Sequence, residues 1–230
     1  MDGYMRVVAF DFDGVLVNSY DCLRRVYDEL ALLMGMSDRE LFVELMLAFE
    51  DVMDYLGIWD RFSWFNLIHK SPLITQKLNV DYLVSTYWRL RTSYSKVIND
   101  ALHVLKKLKE LAIPMYIVCG ADGVPGLKEF RVSSSGLDKL VTDVITYGEG
   151  GRVKTLNDAL SILKERHINE VIYYVDDKPK NLNELNIDGV IPVLLRIKPP
   201  LPRGFSWLVQ LKKDVRVIDK LSDLLYLIRS

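Results

Sequence analysis

Cysteine is scarce in this chain of 230 residues, which contains only Cys22 and Cys119. Two thiols cannot build a disulfide framework or, by themselves, a zinc cluster. A reducing compartment fits this composition, so we expect a cytoplasmic protein. Long apolar runs are also missing, because no stretch reaches the roughly 18 to 20 residues of a membrane helix. The N-terminus lacks a basic segment followed by an apolar signal stretch, and we expect no membrane partner.

Neither sign of charge dominates, since 30 basic and 31 acidic side chains leave a formal net charge of -1. Nucleic-acid-binding proteins usually carry a clustered basic excess, so we expect no nucleic acid as partner. Half of the residues are hydrophobic and 27% are charged, which is an ordinary balance for a chain with a substantial core. The length suits one large domain or a domain with an insert, as a monomer or a homodimer.

Apolar segments recur in the continuous form that is typical of strands buried on both faces of a parallel sheet. Strands are predicted at 6–10, 113–118, 144–147, 171–175 and 190–195, with a late edge strand at 215–218. Helical patterns separate or follow them at 100–111, 153–166, 180–185 and 221–228. This alternation predicts a Rossmann-like α/β domain, with a parallel sheet covered by helices on both faces.

Residues 18–98 have a different character, because they contain a series of helical patterns and no convincing strand. Ser37 followed by Glu40 predicts a helix N-terminus with a capping box. Three of the four tryptophans lie in this stretch, and we interpret them as the core of a helical bundle rather than a ligand box. The sequence therefore predicts an α/β core domain of residues 1–17 and 99–230, and a small α-helical cap domain of residues 18–98.

Two carboxylates, Asp11 and Asp13, follow the first predicted strand in the sequence Asp-Phe-Asp-Gly. Ligands of open parallel sheets bind beyond the carboxyl ends of the strands, and two acids leaving one strand can point into the same crevice. They can hold a divalent cation, or one can attack phosphorus while the other handles a proton. The alternative is an Asx turn that closes the strand. Apolar residues on both sides favour the functional interpretation.

A second acidic signal is the doublet Asp176-Asp177, which follows the predicted strand 171–175 and precedes Asn181 by a few residues. Adjacent carboxylates repel each other. A doublet at a strand end therefore indicates a cation that offsets the charge.

The segment from Asp11 to Ser19, DFDGVLVNS, resembles the first motif of the haloacid-dehalogenase superfamily. The phosphatase branch with a helical cap between the first and second motifs fits the order of segments. The resemblance implies Asp11 as the nucleophile that forms an aspartyl-phosphate, and Asp13 as general acid and base. It also implies Mg²⁺, held by Asp11, the backbone carbonyl of Asp13, and Asp176 or Asp177. Dehalogenase members lack an acid at the second position, so Asp13 counts against dehalogenation.

Cys119 stands where this family has the Ser or Thr of its second motif, at the end of the apolar segment 113–120. A thiol is a weaker hydrogen-bond donor than a hydroxyl. We therefore expect the backbone N–H groups of Gly120 and Ala121, at the start of a helix, to bind phosphate beside it. On residue type alone, Cys119 is a small buried hydrophobe. A cysteine nucleophile lacks an obvious histidine partner in the sequence.

Lys154 is the residue that the resemblance implies for neutralising the phosphoryl group. It lies after the glycine-rich segment 148–151 and a predicted strand, at the start of a predicted helix. The family usually places its lysine there, and Arg152 is the alternative.

Together these residues predict a magnesium-dependent phosphatase that acts on a small phosphorylated metabolite, because a closing cap leaves little room for a polymer. Two alternatives stay open. A sugar phosphomutase of the same superfamily would use the same residues and return the phosphate to a sugar. A non-catalytic phosphate-binding or regulatory member would keep the fold, and Cys119 is the only residue that invites that interpretation.

Overall fold

A parallel sheet is built around the first predicted strand. The computed structural model describes residues 6–71, 74, 76–212 and 214–229. Within them the strands are β1 (Arg6–Phe10), β2 (Val17–Asn18), β3 (Lys96–Val97), β4 (Met115–Gly120), β5 (Asp143–Tyr147), β6 (Val171–Asp176), β7 (Val190–Leu195) and β8 (Arg216–Ile218). Six of them form one sheet in the order β5-β4-β1-β6-β7-β8, and β2 pairs separately with β3. The predicted core strands are all present, with ends that shift by up to two residues.

The central position of β1 follows from its continuous apolar sequence. Four consecutive residues, 7–10, have no exposed surface, as expected for a strand covered on both faces. Phe10 lies opposite Ile117 of β4 on one side and opposite Val175 of β6 on the other, both in parallel register. The carboxyl ends of these three strands therefore meet at one edge of the sheet, where ligands of such sheets bind.

Helices cover both faces of the sheet. The helices of the described residues are α1 (Leu23–Leu33), α2 (Arg39–Leu56), α3 (Arg61–His69), α4 (Val80–Tyr94), α5 (Asn99–Glu110), α6 (Leu127–Ser135), α7 (Leu156–Arg166), α8 (Pro179–Asn183) and α9 (Leu224–Leu227). The apolar side chains of α5 pack with Phe10, Ile117 and Val175 in one cluster. The buried residues of α7 lie outside that cluster, while α7 contacts β4 and β5, so α7 covers the opposite face.

Helices α1 to α4 form the insert between β1 and the rest of the sheet, as predicted. Trp64 and Trp88 are buried among them, which supports their interpretation as helical core. The core of the insert also holds an ionic group, because Glu50 binds Arg61 at 3.1 Å and Arg91 at 2.8 Å, all buried. Among the described residues, no helix has the length and apolarity needed to cross a membrane.

Two local predictions in the insert are wrong by small amounts. The N-cap of α2 is Asp38 rather than Ser37, and its carboxylate accepts the Leu41 N–H at 2.9 Å. An ionised carboxylate is at least as good a cap as a hydroxyl, and Asp38 therefore caps α2 in place of Ser37. The sequence predicts no strand in the insert, whereas α4 ends at Tyr94 and the short strand β3 follows it.

The chain divides into two compact units. One unit contains residues 1–18, 96–198 and 206–230, and the other contains residues 19–95 and 199–205. The first two boundaries lie within a few residues of the predicted ones. The segment 199–205, which was expected in the core domain, groups with the helical unit instead.

Candidate active site

Three carboxylates from two neighbouring strand ends come together beyond the sheet. Oxygens of Asp11, Asp176 and Asp177 all lie within 4.8 Å of one another. Asp11 is held at the end of β1 by its N–H, which donates to the Val175 carbonyl of β6 at 2.8 Å. Burial, and then the charges of Asp176, Asp177 and Asp13, raise the pKa of Asp11 well above its ordinary value. The site therefore concentrates negative charge that its protein surroundings do not neutralise.

Asp176 is fixed by donors on both carboxylate oxygens. Its Oδ2 accepts from the Tyr174 hydroxyl and from Asn181 Nδ2, each at 3.0 Å, and its Oδ1 accepts the Lys178 N–H at 2.8 Å. Burial raises the pKa of Asp176, although these donors act in the opposite direction. Asn181, which the sequence placed near the doublet, thus orients one of the two acids.

Asp177 is positioned by residues far from it in the chain. Trp207 Nε1 donates to Asp177 Oδ2 at 2.6 Å, and the Lys178 ammonium lies 5.1 Å from the centre of the Trp207 ring. On the other side, a Cβ added to Gly14 would come within 2.6 Å of Asp177 Oδ2. Gly14, with φ of +85°, therefore serves the turn after Asp13 and also leaves room for the second acid.

The donor set fits a hard divalent cation such as Mg²⁺. Three carboxylates within mutual reach offer the oxygen ligands that such ions prefer. Asp176 and Asp177 are buried and Asp11 is half-buried, so their closeness is costly without a positive charge between them. Asp11, Asp176 and Asp177 are therefore the residues that would hold the ion.

The second acid of the first motif, Asp13, has a separate environment made by cations of α6. Lys128 Nζ lies 2.6 Å from Asp13 Oδ2, and an Arg131 guanidinium nitrogen lies 2.5 Å from Oδ1. Both cations also pair with Asp122, at 2.8 and 2.9 Å. Burial alone would raise the pKa of Asp122, but Arg131 and Lys128 lower it below its ordinary value. Two acids and two cations thus form a compact network beside Asp11.

Lys128 and Arg131 were not identified from the sequence. Lys154, the lysine that the resemblance implies, does not lie in this network. The Lys154 side chain is exposed, and its N–H donates to Asp158 at the N-terminus of α7. Among the described residues no ion pair joins it to Asp13, and Arg152 is exposed as well. Lys128 and Arg131 lie three residues apart on α6, hence on one face. That spacing, directly after the second motif, is the signal that could have found them.

Cys119 lies in the site as a buried thiol. It has no exposed surface, and its surroundings include Lys128, Asp11 and Asp13, whose charges act on it. Burial raises its pKa well above the ordinary value, so the reactive thiolate is disfavoured. This environment argues against a cysteine nucleophile and agrees with the small buried hydrophobe expected from residue type.

The expected phosphate site on the backbone of Gly120 and Ala121 differs in the structure. The Ala121 N–H donates to the Tyr147 carbonyl at 2.8 Å, so this donor is already engaged. No helix begins there, since α6 starts only at Leu127. The intervening segment 121–126 contains two glycines and a proline, which disfavour a helix in that place.

Solved structures of similar fold cover nearly the whole chain. A predicted phosphoglycolate phosphatase from Haemophilus somnus 129PT matches with a TM-score of 0.64 at 15% identity, over 97% of this chain and 98% of its own. A protein from Bacillus subtilis assigned to the HAD hydrolases and bound to magnesium matches with 0.65 at 15%, over 99% and 100%. The L-2-haloacid dehalogenase of Xanthobacter autotrophicus, with chloropropionic acid covalently bound, matches with 0.64 at 16%, over 98% and 99%. Identities this low show a shared fold.

The sequence carries the family assignment. Among curated proteins, none matches this chain. The model of the haloacid dehalogenase-like hydrolases matches residues 5–183, which include the first motif, the acidic doublet and the helical insert between them. With the acids at the ends of β1 and β6 and a fold shared with solved members, this chain belongs to the haloacid dehalogenase-like hydrolase family.

Proposed function

We propose that this hydrolase is a magnesium-dependent phosphatase that cleaves a small phosphomonoester, with Asp11 as its nucleophile. The observation that carries the proposal is the contrast between the two acids that leave β1. Asp11 lies with Asp176 and Asp177, whereas Asp13 lies against Lys128 and Arg131. Two carboxylates in different environments can take two different roles in one reaction.

Asp11 is suited to attack. Its carboxylate lies at the centre of the acidic cluster, and the ordered strand end limits its movement. In-line attack on phosphorus forms an aspartyl-phosphate, while the bond to the leaving oxygen breaks and that oxygen takes a proton. A bound Mg²⁺ would supply positive charge that offsets repulsion between the carboxylates and the phosphoryl group.

Asp13 is suited to carry the proton in both halves of the reaction. In the first half it protonates the leaving alcohol, and in the second it takes a proton from the water that cleaves the aspartyl-phosphate. Lys128 and Arg131 stabilise its carboxylate form, which is the form that activates water. Donation in the first half requires the phosphoryl group to draw one of these cations toward itself. Lys128, which contacts both Asp13 and Asp122, is our candidate.

The presence of Asp13 favours phosphate esters over haloacids. Displacement of a halide at carbon releases a stable anion that needs no proton, so a second acid has no task there. An alcohol leaving from phosphorus does need one. A structural neighbour is described as bound to magnesium, which agrees with a metal-dependent member, while another is a dehalogenase.

Hydrolysis of a chromogenic phosphomonoester tests the proposal directly. Release of the chromophore should require Mg²⁺ and stop with chelator. Asp11→Asn should lower the rate by about 1,000-fold or more, because it removes the nucleophile. The matched control is Asp188→Asn, at an exposed acid of the same unit, which should keep full activity.

Four outcomes would contradict the proposal in distinct ways. Full activity of Asp11→Asn would reject the nucleophile, and full activity in chelator would reject the metal. Conversion of a sugar monophosphate to its isomer in the presence of bisphosphorylated sugar, without release of phosphate, would identify a phosphomutase. Halide release from a 2-haloacid, without turnover of any phosphate ester, would identify a dehalogenase.

A further inference from the structure

At the end of β4, the proposed phosphate site has no residue with a hydroxyl group. Cys119 occupies the position, and its thiol is a weak donor that is completely buried. The Ala121 N–H next to it is engaged with the Tyr147 carbonyl. A phosphatase of the proposed kind would still need a donor for the phosphoryl oxygens on this side of Asp11.

A tyrosine on the neighbouring strand reaches this place. Tyr147 ends β5 and pairs in register with Gly120 of β4. A Cβ added to Gly120 would lie 3.3 to 3.4 Å from the ring and the hydroxyl of Tyr147. The ring therefore lies directly against the backbone of Gly120, where any other residue would place a side chain. The absence of a side chain at Gly120 leaves room for the phenol at the carboxyl end of β4.

The Tyr147 side chain lies within reach of the charges of Asp11 and Asp176. Tyr147 is only 8% exposed, and within the described part of the chain its hydroxyl makes no hydrogen bond. Its nearest charged surroundings include Asp11 and Asp176. By contrast, the hydroxyl of Tyr174, on the same side of the site, already donates to Asp176. A hydroxyl beside a ligand site that makes no hydrogen bond within the protein is a donor that remains for the ligand.

The protonation state of the phenol agrees with a donor role. Burial raises the pKa of Tyr147 well above its ordinary value, and the charges of Asp11 and Asp176 add to the rise. The hydroxyl therefore keeps its hydrogen at neutral pH.

From this placement we infer that Tyr147 binds the phosphoryl group of the substrate, donating the hydrogen bond that Cys119 cannot supply. The inference rests on the proposed phosphatase function. It also assigns Gly120 a specific task, which is to leave space for the Tyr147 ring rather than to present its own N–H. Tyr147 and Cys119 are then linked, because a hydroxyl at position 119 would make the phenol dispensable.

The first test removes only the hydroxyl. Tyr147→Phe keeps the ring against Gly120, and we expect its kcat/KM for a chromogenic phosphomonoester to fall by about 10- to 100-fold. Binding of inorganic phosphate in the presence of Mg²⁺, measured by calorimetry, should weaken by a similar factor. Tyr116→Phe is the matched control, because Tyr116 lies on adjacent β4 and its hydroxyl binds His167 at 2.8 Å instead. That variant should keep wild-type values.

The second test asks whether the missing hydroxyl causes the loss of kcat/KM and phosphate affinity in Tyr147→Phe. Cys119→Thr in the Tyr147→Phe background should restore phosphate affinity and kcat/KM to within about threefold of the wild type. A merely structural role for the phenol would not be rescued at position 119. If Tyr147→Phe fails to fold, Gly120→Ala provides an independent variant, since the added methyl at 3.3 Å would press on the ring and shift it slightly. It should weaken phosphate binding in the same way.

Failure of this inference is distinguishable from failure of the phosphatase proposal. Unchanged phosphate binding in Tyr147→Phe, or a loss that Cys119→Thr does not restore, overturns the role of Tyr147 while Asp11→Asn remains inactive. If Asp11→Asn is fully active, the proposed phosphatase mechanism is wrong, and the role of Tyr147 that depends on it is rejected as well. For Gly120→Ala, unchanged phosphate binding likewise overturns the inference.

Discussion

At the scale of single residues, the cation that would neutralise the phosphoryl group is the main difference between expectation and structure. Motif order favours Lys154, which the structure leaves exposed at the start of α7. Lys128 is buried, and burial alone would lower its pKa, but Asp122 and Asp13 outweigh this and raise that pKa above its ordinary value. A cation held this firmly beside the reacting acids is better placed to neutralise a phosphoryl group.

Two lysine substitutions separate these candidates. We expect Lys128→Met to lower kcat/KM for a phosphomonoester by about 100- to 1,000-fold, as for loss of one preorganised charged donor. Lys154→Met should cost less than about threefold, because no contact with the acids is lost. Lys106→Met, at an exposed position of α5, is the control, and melting temperatures should exclude unfolding. A larger loss for Lys154→Met than for Lys128→Met would return the role to Lys154.

At the scale of elements, the segment 199–205 has an unexpected anchor. The sequence marks it as a proline-rich loop, yet it groups with the helical unit. Asp51 of α2 has no exposed surface. Its carboxylate accepts the N–H groups of Arg203, Gly204 and Phe205 at 2.6, 2.7 and 3.1 Å. Three consecutive donors on one buried carboxylate fix the loop against α2.

Asp51→Ala should therefore destabilise the protein strongly. The variant leaves three backbone donors without their acceptor, and we expect the free energy of unfolding to fall by about 3 kcal/mol or more. Glu44→Ala, on the same helix, removes an exposed ion pair with Arg24. It should change the free energy of unfolding by no more than about 0.5 kcal/mol. Denaturant unfolding of both variants measures the difference. Equal stability of the two would show that Asp51 does not anchor the loop.

Directly after this segment, from residue 206, the chain belongs to the core unit again. Two residues after Phe205, Trp207 donates to Asp177. Lys180 is also attached to this region, since its N–H donates to the Ser206 carbonyl at 3.4 Å. The order of the chain thus connects the loop on Asp51 to the residue that orients one of the acids.

At the scale of the whole molecule, the site holds several negative charges close together, which destabilises the fold. Asp11, Asp176 and Asp177 lie within 4.8 Å of one another, and burial together with neighbouring carboxylates raises the pKa of Asp11. A carboxyl whose pKa is higher in the folded chain than in the unfolded chain destabilises the fold as the pH rises above the unfolded value. The proposed catalytic role of Asp11 and the stability of the fold are therefore opposed at this position.

Asp11→Asn should for this reason stabilise the metal-free protein while abolishing turnover. At pH 7 in chelator, its melting temperature should exceed that of the wild type by about 2 to 4 °C, the effect of ~1 kcal/mol in a domain of this size. The gain should vanish below about pH 4, where the carboxyl is protonated in both states. Mg²⁺ should raise the melting temperature of the wild type more than that of the variant.

Thermal unfolding also gives the control for this prediction and the result that would contradict it. Asp188→Asn removes an exposed acid and should leave the melting temperature unchanged in chelator. A metal-free Asp11→Asn protein less stable than the wild type would mean that the carboxylate is paired favourably in the fold, against the charge distribution described above.

Local sequence pattern is enough to predict the sheet and the positions of its acids. Continuous apolar segments predict buried strands from local pattern alone, and a residue directly after such a strand has its position set by the strand. Asp11, Asp13, Asp176 and Asp177 could therefore be named in advance, together with the parallel sheet and the helical insert. Local pattern also placed the segment boundaries to within a few residues.

The contacts around these acids depend on the packing of the domain. Lys128 reaches Asp13 from a helix face, Trp207 reaches Asp177 from a distant loop, and the Tyr147 ring lies against Gly120 of the neighbouring strand. These contacts join residues far apart in sequence, and they depend on strand order and helix packing rather than on periodicity. Strand ends are set by short-range backbone geometry, whereas the direction of a side chain from another element is set by the packing of the whole domain.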